Sequence, residues 1–393
     1  MIQYLLISAL GVFSGVHDEP KFQAQTIDDQ VAIGYGLAIG DVDGDGKADI
    51  LMADKNEFVW YRNGDWQRFV MIEGLTEFDN VCIAARDIDG DGRVEVAVGA
   101  QWNPGELSDT ARSGSVHYLV RPDDPTDRWS AVQLYHEPTI HRMRWVRASD
   151  SVYHLIVLPL RAPFREDEPD RGVNILAYEM PEDPADPWKQ WTIKQPMDNT
   201  HNLDVYDLGE GEMFYIGGDD GMMGFSYRDG HWQSRQADWM ARGRPLSEIR
   251  LGSVASRNAH VFATVEPLHG DTLALYTPGL SDSLLVHDRI WRIVLERNMN
   301  EGHGLAMGDF LGLGRDQVVA GWRNPNEEGH FGIKLYVPFN QYWEAMDAYW
   351  VDRDGMACED LQIADLDGDG RLDIIAAGRS TNNLKVYWNR TGD

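Results

Sequence analysis

Cysteine is nearly absent. The 393 residues hold two, Cys82 and Cys358, which excludes a disulfide framework and a zinc–thiolate cluster. Positive charge is also scarce: 35 Lys and Arg stand against 64 Asp and Glu, a formal net charge of −29. A phosphate backbone is held by clustered cations, so no nucleic-acid partner is expected. No apolar run is long enough to span a bilayer as a helix, so no membrane span is expected. Low-complexity sequence is missing too, and 43% hydrophobic with 25% charged residues is globular composition rather than disorder.

The one concentrated apolar stretch runs from Tyr4 to Phe13, with Ser14 and Gly15 behind it and a polar segment from His17. Its length suits the apolar part of a secretory signal. Residues 1–16 are therefore expected to be a signal peptide, residues 17–393 one domain, and the protein secreted or periplasmic.

What the chain has is repetition. Asp-x-Asp-Gly-Asp-Gly occurs at Asp41–Gly46, Asp87–Gly92 and Asp365–Gly370, each time between two apolar, strand-like runs. Such a motif is a hairpin turn. A tyrosine closes a third strand-like segment seven times, at Tyr61, Tyr118, Tyr178, Tyr227, Tyr276, Tyr336 and Tyr387. A tryptophan opens a fourth segment six times, at Trp66, Trp129, Trp188, Trp232, Trp291 and Trp343. The missing seventh outer strand is supplied by Phe22–Ile27. Units of roughly 46–60 residues with four strands each describe an all-β, seven-bladed propeller closed by an N-terminal strand.

The turn motif carries chemistry. A hard divalent cation takes several oxygen ligands, and alternate residues of a tight loop aim theirs at one point. The three ligand sets are Asp41, Asp43, Asp45 and Asp49; Asp87, Asp89, Asp91 and Glu95; and Asp365, Asp367, Asp369 and Asp373. Three structural Ca²⁺ ions are expected. The other four units depart from the pattern: Asp309 is followed by Leu311, Leu313 and Gln317, Asp207 by glycines, and Arg147 and Ser253 replace the first aspartate. These residues resemble the FG-GAP/VCBS propeller repeat family, which implies calcium in the first hairpin of a blade.

On the opposite face lies a second column. Six residues before each loop's first position stand Tyr35, Val81, His141, His201, Ser247, His303 and Glu359. Three histidines at one repeat position can meet at the mouth of a central channel, and three imidazoles with an open fourth position hold a catalytic Zn²⁺ or similar ion. The second turns add Lys55, Trp102, Arg161, Asp219, Asp220, Glu266, His269, Trp322, Arg323 and Arg379 to this face. Such a mixed bowl suits a sugar or keto-sugar, with Trp102, Arg161, Trp322, Arg379 and Glu359 as substrate contacts.

The His141, His201 and His303 segments, with Glu266-Pro-Leu-His269-Gly, look like the propeller domain of the aldos-2-ulose dehydratase family. That resemblance implies a metal in the propeller cleft and β-elimination of water from a keto-sugar such as 1,5-anhydrofructose. It does not extend to the cupin and lectin-like domains of the larger fungal enzyme, so isomerase activity is not implied. Elimination needs a base for the proton α to the carbonyl, an electrophile for the enolate oxygen and an acid for the departing water. His269 or Glu266 is the candidate base, and Tyr35 or Arg323 assists the oxyanion or leaving group. Two alternatives share these residues: a propeller that binds a glycan or protein without catalysis, and a polysaccharide lyase.

Overall fold

Turn motif and apolar run alternate along the sequence, and in the computed structural model they become seven antiparallel sheets. It describes residues 17–164, 172–207, 211–235, 239–254, 259–278, 290–339, 343 and 345–392. The segment 1–16 read as a signal peptide lies outside the described residues. No helix among them is long and apolar enough to cross a membrane.

The innermost strands of blades 1 to 7 are Gly36–Gly40, Cys82–Arg86, Ile140–Ser149, Thr200–Asp207, Ile249–Val254, Gly302–Gly308 and Cys358–Ala364. Each touches the innermost strand of the next blade, and the seventh touches the first, which closes a propeller ring. In blades 1 and 2 burial peaks at the second strand and falls toward the outer edge. The second strands Glu95–Ala100, Gln317–Trp322 and Asp373–Gly378 are buried on both faces, which is why they read as unbroken apolar runs rather than alternating ones. The outer strand Arg68–Glu73 is exposed at both ends and buried only at Met71.

Neighbouring blades share their cores. One apolar cluster lies at each of the seven joints, and the tyrosine landmarks anchor the blades from inside. Tyr61 donates to Asp28 at 2.6 Å, Tyr178 to the Tyr135 carbonyl at 2.5 Å and Tyr387 to Asp352 at 2.7 Å.

The seventh sheet takes its outer strand from the other end of the chain. Phe22–Asp28 pairs antiparallel with Asn383–Asn389, Ala24 opposite Tyr387 and Thr26 opposite Lys385. The Leu37 amide also donates to Asp360 at 2.7 Å, a further tie between blades 1 and 7. Blade 4 departs from four strands. Its outer strand His231–Gln233 has three residues, and Trp239–Met240 pairs separately with the third strand Gly221–Arg228.

Candidate functional site

Each aspartate-rich turn folds back on its own carboxylates. In blade 1, Asp41 accepts the amides of Gly44 and Gly46 at 2.7 Å each, and Asp45 accepts that of Lys47 at 2.9 Å. Gly46 has φ +83°, a left-handed conformation that other residues adopt only at a cost. The ligand oxygens of Asp41, Asp43 and Asp45 lie within 4.8 Å of one another, as do those of Asp87, Asp89 and Glu95, and of Asp365, Asp367 and Asp373. The ninth-position acids are buried with little positive charge beside them. Burial pushes Asp49 and Glu95 up to about 7 and Asp373 to about 6, and the neighbouring aspartates add to it. Oxygen-only donors around buried, mutually repelling carboxylates fit a calcium ion.

The opposite face is built by irregularities in the sheets. Register breaks between Ile140 and Arg142, Thr200 and Leu203, Gly302 and Gly304, and Cys358 and Asp360. Each break coincides with a member of the column: His141, His201, His303 or Glu359. The innermost strands of blades 1, 2 and 5 pair without a break. An extra residue at a bulge re-aims side chains that strict alternation would send elsewhere.

Three imidazoles meet here, but not the three that share the column. The ring nitrogens of His201, His269 and His303 lie within 4.8 Å of one another. His201 and His303 come from innermost strands of blades 4 and 6. His269 comes from the turn between Ala259–Glu266 and Thr272–Pro278 of blade 5, with φ +52°. His269 thus occupies the place that the column assigns to His141, and the trio spans the consecutive blades 4, 5 and 6.

A hydrogen bond at His303 and a carboxylate beside His201 set which nitrogen of those two rings faces inward. His303 Nδ1 meets the Glu359 carbonyl, which can only accept, so His303 Nε2 carries the lone pair. His201 Nδ1 lies 3.2 Å from Glu248, leaving Nε2 toward His269 Nε2 at 2.6 Å. Two nitrogens this close need a proton or a cation between them. On a tetrahedral zinc with bonds of about 2.0–2.1 Å they would stand roughly 3.3 Å apart, so a small opening accommodates the ion. Burial holds His201 and His303 below the ordinary histidine range, and His269, exposed as a residue but partly desolvated at its ring, falls to about 3 with help from His201 and Arg323. Neutral imidazoles are the form that binds metal.

His141 stands beside the trio. Its Nδ1 meets the His201 carbonyl at 2.7 Å, its Nε2 lies 3.3 Å from Arg142, and its ring stacks on half-buried Trp102 at 5.2 Å. Glu359 is bound by Arg323 at 2.6 Å and Arg379 at 3.0 Å. Tyr35 donates to Asp79 at 3.0 Å, and burial raises its hydroxyl so that it keeps its proton. Arg161 is exposed.

Two residues expected in the bowl point elsewhere. Trp322 is 0% exposed in the core between blades 5 and 6, its indole donating to the His330 carbonyl at 3.0 Å. Glu266 is buried and held by Arg292 at 2.5 Å and the Tyr276 hydroxyl at 2.5 Å, which occupies the carboxylate a base would use. Arg142, Asn202 and Glu248 were missed by counting, although each follows a column member by one residue.

Residues 41–98 match the FG-GAP-like repeat. The match covers two of the three aspartate-rich turns and the strands around them. The chain is also 23% identical, over 310 residues, to aldos-2-ulose dehydratase of Phanerodontia chrysosporium. That alignment covers 73% of this chain and 33% of the relative, so it spans about a third of the dehydratase's length. Among solved structures, a chain of the BBS1N–ARL6DN complex soaked with lead is similar at a TM-score of 0.56 with 14% identity, covering 96% of this chain and 98% of that one. A chain of the Mitotic Checkpoint Complex gives a TM-score of 0.55 with 10% identity and 99% coverage of both. At such identities these two structures speak for the propeller fold alone.

Proposed function

We propose that this propeller is a secreted or periplasmic, metal-dependent carbon–oxygen lyase that removes water from a keto-sugar. The observation that carries the reading is the convergence of His201, His269 and His303 in a chain whose similarity to a sugar dehydratase covers most of its length. Three Ca²⁺ ions in the aspartate-rich turns hold the opposite face and take no part in the reaction.

His201, His269 and His303 hold the transition metal, zinc by donor type. Bound there, the ion supplies a Lewis acid for the substrate carbonyl and the enolate oxygen. His141 takes the α-proton at Nε2 once substrate displaces the contact with Arg142, since its Nδ1–H is committed to the His201 carbonyl. Tyr35 gives its proton to the departing β-hydroxyl, which leaves as water, once its hydroxyl turns from Asp79. The Arg379 guanidinium, 5.5 Å from the ring, offsets the phenolate charge until His141 returns the proton. Arg323 and Arg379, spaced on Glu359, and the Trp102 face orient the sugar's hydroxyls.

The test is an ultraviolet assay for enone formation from 1,5-anhydrofructose and related keto-sugars, run with metal analysis. Enone product is expected from the zinc-loaded protein. His269→Ala should lose both metal and turnover, whereas His141→Ala should keep the metal and lose roughly 10²–10⁴-fold in rate, the usual contribution of a general base. A protein that holds calcium alone, and whose His269→Ala variant matches the parent, would be a sugar-binding propeller instead.

A further inference from the structure

Behind the three imidazoles sits a carboxylate that the reaction does not use. Glu248 precedes the innermost strand of blade 5 and is 1% exposed. Its two oxygens serve different partners. Oε2 accepts the Asn202 side-chain amide and lies 3.7 Å from Arg250. Oε1 lies 3.2 Å from His201 Nδ1, an ion-pair distance, and both atoms are buried with no well-aligned hydrogen-bond partner among the described residues. His201 is itself 2% exposed.

A buried carboxylate is costly unless its oxygens are used. Stability alone would turn both oxygens toward Arg250 and Asn202. Instead one is turned to an imidazole whose far nitrogen points into the trio. Burial opposes the charge on Glu248, yet the hydrogen bond to His201 and the guanidiniums of Arg250 and Arg142 hold its carboxyl below the usual range. The three histidines are not equivalent: among the described residues, His201 has a carboxylate behind it, His303 a backbone carbonyl, and His269 neither.

We propose that Glu248 is the positioning carboxylate of the transition-metal site: it accepts the Nδ1–H of His201, fixes Nε2 as the metal-facing atom, and makes His201 the strongest of the three donors. The inference rests on the metal reading given above. A carboxylate behind a ligand histidine raises its basicity, and its loss costs about 10–100-fold in metal affinity.

Zinc affinity is measured by chelator competition in saturating calcium for the parent protein and for Glu248→Gln, whose amide is a weaker acceptor of the same shape. A dissociation constant raised about 10–100-fold is expected, with the melting temperature of the metal-free protein little changed. Cobalt(II) absorption should shift in the variant, because the donor strength of one ligand changes. In the parent protein, ¹⁵N chemical shifts should show His201 as the Nδ1–H tautomer, a readout that does not depend on how well the variant folds. An unchanged zinc affinity in Glu248→Gln, or an Nε2–H tautomer at His201, overturns the role of Glu248 and leaves the metal site standing. A parent protein that binds neither zinc nor cobalt at the trio overturns both.

Discussion

In the first hairpin of blade 6, a single amide stands where the loops of blades 1, 2 and 7 present a charge. Gln317 replaces the ninth-position acid. Its Nε2 donates to Asp309 at 3.3 Å and to the Arg315 carbonyl at 2.5 Å, and its Oε1 accepts the Leu311 amide at 3.1 Å. The turn thereby keeps its shape with a built-in N–H donor facing Asp309. In blades 3 and 4 an ion pair does comparable work, Arg147 meeting Asp207 at 2.8 Å across the joint. In blades 2 and 7 arginines reach the loops, Arg121 meeting Asp91 at 3.2 Å and Arg390 meeting Asp367 at 2.7 Å, but they pair with other aspartates rather than with the buried Glu95 and Asp373. In blade 1 Asp49 is likewise raised by burial and its neighbouring aspartates. Calcium should therefore stabilise these three loops and no others. At a free concentration of about 100 Kd each site contributes about 2.7 kcal/mol by mass action. Calorimetry should show a lower melting temperature in excess chelator, partly reproduced by Asp43→Ala or Asp367→Ala. Gln317→Ala should destabilise equally with and without calcium. Identical melting of metal-free and calcium-loaded protein, or a fourth calcium bound at Asp309, would contradict this.

At the scale of strands, pairing between the two chain ends matters most. Without Phe22–Asp28 the last sheet would end on Asn383–Asn389 with its ladder groups unpaired, an edge prone to pair with other chains. A protein starting at residue 17 should fold like the parent, whereas one starting at residue 29 should aggregate or melt far lower. Light scattering with a thermal melt distinguishes them, and equal, soluble stability would dismiss the pairing as incidental. The strand count, the turns and the tyrosine anchors were legible because period-2 patterning and turn chemistry are local. The site was legible only in part. Counting by repeat finds side chains that arrive on equivalent strands, so it found His201 and His303. It gave the third place to His141, because His269 reaches the trio from a turn whose left-handed backbone no periodicity reveals. Trp322 and Arg323 are sequence neighbours at the end of Gln317–Trp322, yet one enters the core and the other meets Glu359. Adjacent residues of a strand point to opposite faces, so both could not belong to the bowl. The bulges that re-aim the column residues leave no mark in composition.

Across the whole ring, the joint between blades 4 and 5 has the smallest core among the described residues, six buried side chains against fifteen between blades 3 and 4. The histidine trio straddles that joint and the next, with His201 on blade 4, His269 on blade 5 and His303 on blade 6. An ion held there would tie three consecutive blades together, so occupancy and ring stability are coupled. On the reading proposed above, calcium would secure one face of the ring and a transition metal the other, where the imidazoles of His201, His269 and His303 meet with Arg142 and Arg323 nearby. The measurement that tests this most directly is diffraction from crystals grown with zinc and calcium, collected on both sides of the zinc absorption edge. The expected result is one zinc-specific peak about 2.0–2.1 Å from the inner nitrogens of His201, His269 and His303, with no zinc-specific signal in the aspartate loops. A trio without that peak, or a zinc held by His141 in place of His269, would contradict it.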